Sequence, residues 1–127
     1  MSPVAQVAAV VAAAIHVLFF LMESVWFTRP QVYARFGVTS ERDARAIRPM
    51  AFNQGFYNLF LAAGAVGGVV LADTGKAAAG CAVTAFACAC MALAGVVLVV
   101  TDRKFVRAAL VQAVPPLVAV IAIALQA

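Results

Sequence analysis

Charged side chains are scarce in this chain: nine Lys and Arg and five Asp and Glu among 127 residues, or 11%. A soluble domain carries about a quarter charged residues, so a water-facing globular surface is excluded. Histidine occurs once, which rules out a haem held by two histidines within one chain. The three cysteines, Cys81, Cys88 and Cys90, fall in one apolar stretch. Cys88 and Cys90 point to different sides of a helix. Cys81 and Cys88 share a face but stand about 10 Å apart along the axis, too far for one disulfide or one zinc ion. They read as small core residues. No metal and no cofactor is expected, although an apolar guest such as a quinone stays open. The chain also lacks a nucleotide-binding loop and a Ser, His, Asp set in an order that suggests hydrolysis.

What is abundant is apolar surface: 66% of the residues are hydrophobic and the mean hydropathy is +1.05. A membrane-spanning helix needs roughly 20 predominantly apolar residues. Four such stretches can be drawn, approximately residues 4–27, 50–72, 77–100 and 105–125. The first lacks the basic leading segment of a signal peptide, contains His16 and Glu23, and is long enough to cross the bilayer, so it reads as a retained helix. The expected fold is an all-α integral membrane four-helix bundle, a single transmembrane domain over residues 1–127.

The basic residues are unevenly shared among the connections. Arg29, Arg35, Arg42, Arg45 and Arg48 fall in the first, Arg103, Lys104 and Arg107 in or beside the third, and only Lys76 in the second. The positive-inside rule then puts the loop at about 28–49 in the cytoplasm and both termini on the opposite face of an inner membrane. The pI of about 9.4 comes from this asymmetry. Anionic lipid headgroups are the expected partners of these residues rather than nucleic acid, since no stacking aromatics are interleaved with them.

Ser40 followed by Glu41, Arg42 and Asp43 reads as a helix N-cap with an acidic first turn, and Glu41 can meet Arg45 four residues on. A short interfacial helix is therefore expected inside the loop, ended by Pro49, which suits the first turn of the second span. Asp73, Thr74 and Gly75 make a tight turn on the outer side.

Polar side chains inside the spans are costly in hydrocarbon unless other helices or a wet cavity receive them. Asn53, Gln54, Tyr57 and Asn58 cover an arc of about 140° on the second helix, and Gln112 lies roughly two turns into the fourth from the same membrane face. Glu23 lies near that face on the first helix. His16 is deeper and projects within about 20° of Glu23 in a regular α-helix. Pro115 and Pro116 free the carbonyls of Val111 and Gln112, beside the Gln112 side chain. A pocket lined by His16, Glu23, Asn53, Gln54, Tyr57, Asn58 and Gln112 is expected. Glu23 either carries an exchangeable proton there or pairs with Arg29, Arg48 or Arg107 near the surface. His16 either serves the cavity or makes a structural hydrogen bond to Tyr57 or Asn58. The third helix offers no strong polar group and is rich in Ala, Gly80, Gly95 and Cys, which suits close packing.

Several of these features together resemble a known family. They are His16 followed by Met22-Glu23 and Trp26; Phe36-Gly37; Asn53-Gln54-Gly55-Phe56-Tyr57-Asn58 with Leu61-Ala62-Ala63-Gly64; Ala94-Gly95 with Thr101; and Val111-Gln112 before Pro115. In them most of the chain resembles the small bacterial membrane proteins of the domain of unknown function 1304 family, the run from Asn53 to Asn58 being the specific part. The chain departs from that pattern at Val96-Val97-Leu98, where an Ile-Tyr-Gly run is expected, and at Ala113 and Pro116, where Gly and Ala flank the proline. The resemblance implies a four-helix membrane protein and brings no reaction with it.

Three classes of function fit. The leading one is binding or transport of a small amphipathic ligand in a polar pocket between helices one, two and four, with a proton-coupled exporter as its specific form. Such exporters need dimers, and Gly64-x-x-x-Gly68 offers a close-packing face within or between chains. The second is an intramembrane isomerase or reductase of a lipid-like substrate, with His16 and Glu23 as acid and base. The third is a structural or accessory membrane protein whose polar cluster fixes helix register.

Overall fold

The computed structural model describes residues 1–127. Helix α1 (Pro3–Phe20) widens into a π-helical turn over Leu21–Val25; a short α2 (Pro30–Tyr33) and a tighter turn (Ala34–Phe36) follow. Then come α3 (Glu41–Asp73), α4 (Ala77–Thr101), a second tight turn (Arg103–Phe105) and α5 (Val106–Ala124). The four segments Pro3–Val25, Glu41–Asp73, Ala77–Thr101 and Arg103–Ala124 are long and apolar enough to cross a membrane. The protein is an all-α membrane bundle.

Helix α3 corrects one expectation. The short helix anticipated around Glu41 and the span anticipated from residue 50 are one continuous helix of 33 residues with Pro49 inside it. Ser40 does cap it, accepting from the Asp43 amide at 3.1 Å, and Arg45 meets Glu41 at 2.7 Å. Pro49 removes a single amide donor, the partner of the Arg45 carbonyl. At the membrane boundary, water can serve that carbonyl. A helix of this length reaches about 50 Å, well beyond the roughly 30 Å hydrocarbon layer, so its charged first turns project past the lipid tails.

The chain divides into two compact units, Met1–Ile15 with Leu61–Ala127, and His16–Phe60. In the first, Ala9, Ala12, Ala13, Ala62, Ala65, Ala87, Cys88, Met91 and Ala119 form the buried core. Small residues dominate because lipid tails are as apolar as leucine, so helices gain by close approach rather than by hiding apolar bulk. The approach is closest at Gly80, where a Cβ would strike the backbone of Ala72 and Gly68, and at Gly95, where it would lie 2.8 Å from the Ala113 Cβ. Gly64 and Gly68 face Ala87 and Thr84, so their close-packing face is used within the chain. Helix α4 is not without a polar group either: Thr84 is buried and its hydroxyl donates to the Ala65 carbonyl at 3.4 Å. Near the chain ends, Gln6 donates to Asp73 at 2.9 Å, and the Ser2 amide donates to Gln126 at 2.8 Å.

The second unit is a helical hairpin. The chain leaves the π-turn, bends through α2 with Pro30 in its first turn, and closes on Gly37 at φ 78°. There the Val38 amide donates to Tyr33 and the Gly37 amide to Ala34, a glycine-dependent helix ending. Phe27, Tyr33, Ala44 and Ala51 are buried together, with Phe36 and Val38 against them.

Candidate functional site

Both arms of the hairpin supply the polar residues. On the first arm, the Trp26 amide donates to Leu21 at 2.8 Å, five residues back. This wider turn turns two successive side chains, Glu23 and Ser24, inward. π-Turns of this kind recur at functional sites. On the second arm, Ala51, Gly55 and Asn58 are buried and repeat at four and three residues, so they line one face of α3. Gly55 is the point of closest approach: a Cβ there would overlap the Ser24 hydroxyl and lie 3.1 Å from the Phe20 carbonyl. Ser24 donates to the Phe52 carbonyl at 2.8 Å. One turn deeper, Asn58 donates from its amide to Glu23 Oε1 at 2.9 Å.

Glu23 is 9% exposed and Asn58 7%, so this is an interhelical hydrogen bond out of reach of lipid. Glu23 makes no ion pair. Arg29 stands over the Trp26 ring at 5.4 Å and Arg48 over the Phe52 ring at 5.9 Å, which leaves the amide of Asn58 as the donor to the carboxylate. Beside it a recess of about 330 Å³ is lined by Glu23, Phe27, Phe36, Val38, Ile47, Met50, Ala51 and Gln54. Its walls are apolar apart from Glu23 and Gln54. Three phenylalanines lie in a row, Phe20 edge-on to Phe56 and Phe56 tilted against Phe52, with successive centroids 5.1 Å apart.

The expected polar face of the second span is only partly turned inward. Asn58 is buried and Gln54 borders the recess, but Asn53 and Gln54 are exposed and Tyr57 is 59% exposed. The reason is the position of the small residues. The stripe through Ala51, Gly55, Asn58, Ala62 and Ala65 decides which side of α3 packs. Gln54 lies about 60° from its centre, Tyr57 about 120° and Asn53 about 160°. Polar arc and packing stripe therefore overlap at Asn58 alone.

His16 is completely buried, with its ring edge-on to Phe19 at a centroid distance of 5.3 Å. Gln112 belongs to the other unit, where its amide donates to the Met91 carbonyl at 3.4 Å. Ser24 and the recess residues Phe27, Val38, Ile47, Met50 and Ala51 were not singled out in the sequence, and Phe36 and Gly55 entered only as parts of the family resemblance. Gly55 carried a readable signal in its four-residue spacing from Ala51; the inward turn of Ser24 did not, because nothing in Leu21–Val25 announces a π-turn.

A family profile described as Protein of unknown function (DUF1304) matches residues 10–124, and the chain belongs to that family. No curated protein and no solved structure matches it.

Proposed function

We propose that this member of the DUF1304 family is a multi-pass inner-membrane protein that binds a small amphipathic molecule in the recess beside Glu23, the polar head at Glu23 and Gln54 and the apolar part along Phe27, Phe36, Ile47 and Met50. The observation that carries this reading is a carboxylate buried in apolar walls and held by Asn58 at 2.9 Å beside open space. An ionisable group inside a span is expensive and is seldom kept without a use. A recess of about 330 Å³ lies at the small end of ligand pockets, roughly 300 to 1,000 Å³.

Orientation is part of the proposal. The arginines of the first connection and Arg103, Lys104 and Arg107 favour a cytoplasmic position, so the recess lies on the cytoplasmic side and both termini lie outside. The test is mass spectrometry of small molecules that copurify with the native protein, set beside the Asn58→Leu variant. A compound present in the first and depleted in the second is the expected result. Identical profiles from two equally folded proteins overturn the reading.

A further inference from the structure

Resting on the binding reading above, we propose that the ligand of the recess is a lipophilic primary or secondary amine, bound as its ammonium ion. The polar lining of the recess is one carboxylate, Glu23, and one neutral amide, Gln54, with no cation among them. Asn58 occupies Glu23 Oε1, and no protein group donates to the second carboxylate oxygen. Gln54, the other polar side chain of the lining, offers an amide carbonyl that can accept and an NH2 that can donate, and carries no charge. None of the nine basic residues of the chain lines this space.

An anionic head placed there would meet a carboxylate with no countercharge. A neutral alcohol would gain hydrogen bonds but no charge attraction. An ammonium head gains both, since it carries several N–H donors and a positive charge, and attraction between opposite charges is strengthened where water is scarce. Phe27 and Phe36, with ring centroids 5.6 Å apart, add two aromatic rings to the wall, a residue type that attracts cations, while Ile47 and Met50 leave apolar wall for a tail. The nearby Arg29 and Arg48 lie over Trp26 and Phe52, and anionic headgroups at the membrane surface offset their charge for an amine arriving through the bilayer.

Trp26 is the one tryptophan of the chain and lies three residues from Glu23, so its fluorescence reports on the site. The full chain is placed in nanodiscs of zwitterionic lipid and titrated with decylammonium, decanol and decanoate, three molecules that differ only in their heads. The expected result is a saturable Trp26 response to decylammonium, with an affinity at least tenfold above that for decanol and no saturable response to decanoate. In Glu23→Gln the amine should lose its advantage and bind no more tightly than decanol does to the same variant. If decanol or decanoate binds as tightly as decylammonium, the recess binds amphiphiles but the charge assignment is wrong. If none of the three gives a saturable response in the folded native protein, the binding reading itself fails and this inference with it.

Discussion

The amide of Asn58 and the carboxylate of Glu23, 35 positions apart in the chain, meet at 2.9 Å with both side chains buried. The contact ties the end of one membrane span to the middle of the next long helix. In Asn58→Leu the carboxylate loses its donor and stays enclosed. Leaving a buried polar group unsatisfied costs about 1 to 3 kcal/mol. Unfolding by a denaturing detergent should show a loss of that size for Asn58→Leu. Asn53→Leu and Tyr57→Phe, on the outward part of the same helix, should stay within about 0.5 kcal/mol of the native protein. Equal losses at all three positions would place the polar cluster, rather than the single pair, at the centre of the fold.

Ser24 and Gly55 supply a second test, because they fill the same space. A Cβ on Gly55 would overlap the Ser24 hydroxyl and stand 3.0 Å from the Ser24 Cβ. Overpacking of this kind costs about 1 to 3 kcal/mol. Ser24→Gly alone loses the bond to the Phe52 carbonyl, yet it removes the two nearest atoms in the way of Gly55→Ala and leaves only the Phe20 carbonyl at 3.1 Å. The double variant should therefore be more stable than the sum of the two single losses by about 0.5 to 3 kcal/mol, read from the same detergent unfolding. Strict additivity would mean that the two residues do not touch.

Much of this arrangement was legible from residue types. Four apolar stretches of spanning length and the scarcity of charge were enough to define the class, because the length of a span follows from the thickness of hydrocarbon. Ser40 caps its helix as read, whereas the pairing of Glu23 with Asn58 was not among the alternatives the sequence offered. The facing of α3 was harder to read. Ranking its positions by polarity put Asn53, Gln54 and Tyr57 inward, whereas Ala51, Gly55, Ala62 and Ala65 set the contact by their small size. Pro49 misled for a related reason: a proline costs one hydrogen bond, and a helix supported on both sides of it continues where that carbonyl can find water. The inward turn of Ser24 depends on a π-turn, which has no signature in the five residues that form it.

The proposed orientation is open to direct labelling. With Cys81, Cys88 and Cys90 replaced by alanine, a single cysteine is introduced at Thr39 or at Lys76, on opposite sides of the second span. A membrane-impermeant maleimide applied to intact cells should modify the Lys76→Cys protein and spare Thr39→Cys until the membrane is opened. The reverse pattern would put the arginine-rich connection outside, against the positive-inside rule, and move the recess to the outer leaflet.

The glycines of the first unit separate close approach from simple helix content. Gly80 sits where an added Cβ would meet backbone atoms, the Ala72 Cα at 2.6 Å among them, whereas Gly67 has nothing within 4 Å. Backbone cannot swing aside as a side chain can, so Gly80→Ala must push α3 and α4 apart. Each helix then loses the dispersion contacts that hold small-residue interfaces together in lipid. Gly67→Ala meets no such obstacle and gains from the better helix propensity of alanine, about 1 kcal/mol at most. Thermal unfolding in one detergent should therefore rank Gly67→Ala at or above the native protein and Gly80→Ala well below it. In Gly80→Ala the spreading should also weaken the hydrogen bond from Thr84 to the Ala65 carbonyl, 3.4 Å long in the native chain. Adding Thr84→Val should then cost less in the Gly80→Ala background than in the native one, because the bond it removes is already weakened. An equal cost in both backgrounds would show that the two helices keep their spacing and that the strain is relieved elsewhere.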